Sequence, residues 1–153
     1  MADSATMSDD IILDDGRVLH GSSIGVAGAL ALVAEQLPER HDQFRTWLID
    51  VSERSNGFAS VDLRGLPERE RHAFHAGVRA AHDQTIGAGM QIGPNSWALG
   101  CLNRLRAMLE SMARGEPPEA LTDRPPSDPG SVVAEDLSQL WKPDRGNSAS
   151  SSS

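Results

Sequence analysis

The sequence predicts a mainly α-helical single domain of about four helices with disordered ends, and three observations carry that prediction. Four segments repeat apolar residues at three- and four-residue spacing, the period of an amphipathic helix. The length, 153 residues and 16.4 kDa, matches one ordinary domain. The two ends are polar, acidic or rich in Pro and Ser, compositions that do not build a core. The division that follows is an acidic disordered stretch over 1–10, a helical body over 11–115 and a Pro/Ser-rich tail over 116–153.

At the start of the body, Ile11-Ile12-Leu13 and Arg17-Val18-Leu19-His20 flank Asp14-Asp15-Gly16. An Asp-Gly turn between two apolar runs is a hairpin signal, and an irregular lead-in to the first helix fits the same residues. The first helix is expected over Gly25–Leu37, with Val26, Leu30, Val33 and Leu37 on one stripe and Pro38 as its stop. The second is expected over Glu39–Arg54, with Phe44, Trp47, Leu48 and Val51 inward and Asn56 or Gly57 as cap. Phe58, Val61 and Leu63 then read as core residues, with 61–63 extended. Pro67, Glu68 and Glu70 suit the start of a third helix over 67–86 that buries Phe74, Val78 and Ala81. A glycine-rich connection over 87–95 leads to a fourth helix over 96–113, whose apolar set is Trp97, Leu102, Leu105, Leu109 and Met112. Beyond Gly115 the prolines take over, interrupted by Val132–Trp141, which reads as a short amphipathic helix docking back on the body or on a partner.

Charge excludes some function classes. The net charge of −8 sits in the ends: residues 1–15 hold five acids and no base, and residues 116–153 hold seven acids against Arg124, Lys142 and Arg145. Acidic ends repel a polyanion, so DNA and RNA are not expected partners. No apolar run approaches the length of a membrane span, and the N-terminus lacks the basic and apolar regions of a secretory signal. The cytoplasm is the expected compartment. The single cysteine, Cys101, cannot pair within the chain and reads as a buried thiol.

No enzyme constellation emerges. His72, His75 and His82 share the third helix, but His75 and His82 stand about 10.5 Å apart along it, too far to share an ion unaided. Neither a His-Glu-x-x-His nor a Gly-x-Ser-x-Gly pattern is present. No catalytic residue, metal ligand or cofactor is therefore assigned.

The stretch from Trp47 to Phe74 carries three motifs: Trp47-Leu48 on a helix, the turn Asp62-Leu63-Arg64-Gly65-Leu66, and a following helix with Arg71, Phe74 and Ala81. Together with Arg114-Gly115-Glu116-Pro117-Pro118, these elements resemble the immunity proteins of bacterial polymorphic toxin and contact-dependent inhibition systems, over roughly 26–121. The resemblance implies a non-enzymatic protein that binds one cognate toxin domain and neutralises it stoichiometrically. Its partner-facing candidates are Asp14 and Asp15 in the acidic lead-in and Asp62 and Arg64 in the turn. Asp62 and Arg64 have a second reading, as a cap and its local ion pair. The alternative function is an adaptor, secretion chaperone or regulatory subunit that docks through 132–141, anchored by Trp141.

Overall fold

A computed structural model describes residues 8–54, 59–87, 95–128 and 135–142. The expected disorder of residues 1–7 and of the serine-rich end, the core role of Phe58, most of the glycine-rich connection and the start of the 132–141 helix all lie outside these residues.

The N-terminal hairpin is present. Strand β1 (Ser8–Ile12) pairs antiparallel with β2 (Val18–Ser22), with Ile11 opposite Leu19. Gly16, at φ +94°, closes the turn: its N–H reaches the Leu13 carbonyl at 2.9 Å while Leu13 N–H bonds Arg17 O at 2.8 Å. Only a residue without a Cβ takes that backbone region freely. β1 begins earlier than expected. Asp9 and Asp10, assigned to a disordered end, are 2% and 8% exposed. The reason is long-range: Asp9 Oδ1 accepts the Ala59 N–H at 3.2 Å, and Asp10 meets His20 across the hairpin.

Four helices follow the expected periodicities: α1 (Ser23–Glu35), α2 (Asp42–Arg54), α3 (Glu68–Gly87) and α4 (Asn95–Ala113). α1 starts two residues earlier than expected because Ser22 caps it, its hydroxyl accepting the Gly25 N–H at 3.0 Å. α2 starts later, since Glu39–His41 after Pro38 form a 3-10 turn. α1 has no charged residue before Glu35 and lies against α2, α3, α4 and β1, which makes it the central helix. Its glycines set the spacing. A Cβ on Gly28 would stand 2.9 Å from the Ala98 Cβ of α4, and one on Gly77 of α3 would stand 2.8 Å from Val33 Cγ1 of α1. This close α1–α4 approach explains why Trp97, expected inward, is 55% exposed: Ala98 and Cys101 fill a contact with no room for an indole. α4 ends at Gly115, φ +79°, with Glu116 N–H on Ser111 O and Gly115 N–H on Met112 O, both of the terminal carbonyl bonds that such a left-handed stop provides.

The sheet goes beyond a hairpin. β3 (Ala59–Asp62) joins β1 in parallel, Ile11 opposite Val61, and β4 (Glu135–Asp136) joins β3 in parallel, so the order is β2-β1-β3-β4. Parallel neighbours need long crossovers, and α1 with α2, then α3 with α4, supply them. The boundary at residue 115 is therefore too early. Asp123 N–H bonds Val18 O at 2.8 Å, and Leu137 and Trp141 are 3% and 9% exposed in the core. The expected helix ending at 141 is instead β4 followed by a 3-10 turn, Leu137–Leu140, capped by Asp136, which accepts the Ser138 N–H at 3.0 Å. Its apolar anchors are spent on the chain's own body. Among the described residues, no helix is long and apolar enough to cross a membrane.

Candidate functional site

The carboxyl ends of β1 and β3 lie side by side, Ile12 opposite Asp62, and four of the five expected site residues converge there. Asp15 meets Arg17, whose side chain is wholly buried: Nη2 lies 2.7 Å from Asp15 Oδ2 and 3.0 Å from the Glu116 carbonyl, which the guanidinium also serves. Asp14 turns the other way, to α3, with His75 Nε2 at 2.9 Å from Oδ1 and Arg71 Nε at 3.3 Å from Oδ2. Burial pushes the Asp14 carboxyl up, but the hydrogen bond to His75 and the charges of His75 and Arg71 outweigh it and hold it below the usual carboxylate value.

Asp62 is a cap. Its Oδ1 accepts the Arg64 N–H at 3.0 Å at the head of a 3-10 turn over Leu63–Gly65, and its Oδ2 pairs with Arg64 Nη2 at 2.8 Å. The bond to Asp62 raises the Arg64 guanidinium further above its already high value. Arg64 also donates to Ser127 O at 2.7 Å, and Ser127 N–H bonds Gly16 O at 2.8 Å, which closes the ring of contacts onto the hairpin turn. Each acid in this cluster faces a base of the same chain. The cluster is a clasp that ties the hairpin turn, β3, α3 and residue 127 together.

A second polar set lies along β2. His20 Nδ1 sits 2.7 Å from Asp10 Oδ1, and Arg124 Nη2 lies 3.2 Å from Nε2. A guanidinium can only donate, so in the contact with Arg124 it is His20 Nε2 that accepts. Asp123 accepts the His20 N–H at 3.0 Å and pairs with Arg104. Cys101, beside Gly21 and Gly25, has its thiol pushed up to about 11 by burial and by Asp123. A thiol held that high is a poor nucleophile at neutral pH. Among the described residues no three His, Cys, Asp or Glu side chains gather into a metal-binding group.

Trp141, the fifth expected residue, sits elsewhere, at the open groove of about 740 Å³ between α2 and the C-terminal segment. Asp42, Gln43, Thr46, Trp47 and Asp50 form the α2 wall; Leu140, Trp141 and Lys142 form the other. Behind it Phe44 stacks on Trp47 at 5.8 Å, and Trp141 meets both rings edge-on, at 5.4 and 5.7 Å. Asp42 and Asp50 are well exposed and pair with Arg45 and Arg54 on the same helix. Sequence reasoning did not assign this wall, although Asp42, Thr46 and Asp50 recur at four-residue spacing and so share one helix face. It also did not single out Arg17, the one Arg or Lys of the hairpin, or the pairing of Asp10 with His20.

No protein-family model, curated protein or solved structure matches the chain.

Proposed function

We propose that this chain is an immunity protein, which binds one cognate toxin domain in the cytoplasm and neutralises it as a one-to-one complex. The resemblance carried by Trp47-Leu48, Asp62–Leu66 and the helix that follows supports this reading. The observation that carries it is how the acids are distributed. Asp10, Asp14, Asp15 and Asp62 are committed to bases inside the fold, while Asp42 and Asp50 stand on an open groove, held only by exposed pairs within α2. Exposed pairs of that kind are worth about 0–1 kcal/mol and exchange readily for a partner's cations. An acidic groove on a chain of net charge −8 favours a basic partner and speeds its association.

The test is affinity purification of the tagged full chain from its host, with mass spectrometry of what accompanies it. A single stoichiometric partner carrying a basic toxin-like domain is the expected result. Recovery of the chain alone, or with several components of a secretion apparatus, would overturn the reading.

A further inference from the structure

The groove between α2 and residues 140–142 has one feature that its acidity does not account for. The indole N–H groups of Trp47 and Trp141, side chains that both line it and are both 9% exposed, have no hydrogen-bond acceptor among the described residues. A buried donor left unpaired forfeits the hydration it gave up on folding, and here two stand together, their rings 5.7 Å apart. A carbonyl oxygen between the walls would satisfy either donor. Reaching it requires residues 140–142 to part from α2, where Gln43 Nε2 on the Lys142 carbonyl, at 3.2 Å, is a hydrogen bond that spans the gap.

The acids add a spacing. Asp42 and Asp50 lie eight residues apart on one helix, a separation of about 12 Å along its axis. In an extended peptide, side chains four residues apart point the same way and stand about 13 Å apart. On the opposite wall Lys142 contributes a positive charge, so a cationic side chain is drawn towards α2 and not away from it.

We propose that this groove receives an extended segment of a basic protein partner, with two arginine or lysine side chains four residues apart set on Asp42 and Asp50 and backbone carbonyls accepting from Trp47 and Trp141. The inference rests on the immunity reading for the identity of the partner and on the groove alone for the chemistry.

The experiment uses the full chain with Trp97→Phe, which leaves Trp47 and Trp141 as the only indoles. A blocked pentapeptide Arg-Gly-Ser-Gly-Arg is titrated against tryptophan fluorescence, beside Arg-Arg-Gly-Ser-Gly, which has the same charge at the wrong spacing, and a glutamate version. Saturable binding of the first is expected, about fivefold tighter than the second, with none for the third. The pair Asp42→Asn with Asp50→Asn should weaken it about tenfold, and Trp141→Phe, which keeps a ring and drops the N–H, by a few fold. Equal affinity for both arginine peptides, no saturation at millimolar peptide, or indifference to the Asn pair in folded protein would each overturn the proposal. If the full chain captures a toxin partner whose affinity ignores the Asn pair, the groove assignment falls and the immunity reading stands. If the spaced peptide binds as expected and no partner is captured, the groove stands and the immunity reading falls.

Discussion

Arg17 and Asp15 form an ion pair that is buried on one side only: the Arg17 side chain has no exposure, whereas that of Asp15 keeps 26%, with Nη2 and Oδ2 2.7 Å apart. The guanidinium also faces the Met108 and Glu116 carbonyls around the end of α4, where the helix dipole favours a cation.

The asymmetry sets the order of two substitutions. Asp15→Asn leaves a wholly buried charge without its counter-ion and should cost about 3–5 kcal/mol. Arg17→Met removes that charge and lets Asp15 take up water, so it should cost less than Asp15→Asn. Urea unfolding of both variants measures the order. The reverse ranking would mean that the carbonyls, and not Asp15, hold the guanidinium in place.

Acid should loosen the hairpin turn through Asp14. Its folded pKa lies below the ordinary 3.8, so the stability it contributes is fully present above that value and is lost as the pH falls through the folded value. Asp14→Asn should therefore flatten the acid limb of stability below about pH 4. Urea midpoints collected from pH 2 to pH 7 are the check, with wild type as reference.

Two helical glycines should respond with opposite sign. At Gly100 a Cβ meets nothing within 4 Å, so Gly100→Ala should stabilise by about 0.5–1 kcal/mol through helix propensity alone. At Gly28 the new Cβ would stand 2.9 Å from Ala98 Cβ. Pushing α1 from α4 should cost about 1–3 kcal/mol, more than the propensity gain. Thermal melts of the two variants read both signs.

Cys101 should react slowly. With its thiol at about 11, thiolate makes up about one part in a thousand at pH 8. Labelling by a thiol reagent should be slow in native protein and rise by orders of magnitude in 8 M urea, a condition that restores an ordinary thiol. Fast native labelling would show that this part of α4 opens readily.

The four helices were legible because their signal is local. Phe44, Trp47, Leu48 and Val51, or Leu102, Leu105 and Leu109, declare an inward face within a few turns, and those residues are buried. The hairpin was legible for the same reason, from Asp15-Gly16 between two apolar runs. Capping by Asp62 was also within reach, although the element it caps is the 3-10 turn at Leu63 and not α3 itself.

The class of the fold, the number of helices and most of their inward faces can be read from the residues in order, since those depend on residues within one or two turns of each other. Which polar residues belong inside depends on contacts between segments far apart in the chain. Asp9 and Asp10 read as part of a solvated end because hydropathy counts them as polar, and they are buried because Ala59 and His20 come to meet them. Trp141 stands after a 3-10 turn too short to show a period, and its place beside Phe44 and Trp47 depends on β4 adding to β3 across more than seventy residues of chain. Parallel pairing, small-residue contacts such as Gly28 with Ala98, and the groove they leave beside α2 are properties of distant segments meeting. Hydrophobic periodicity records which way a segment faces and carries no record of what it will face.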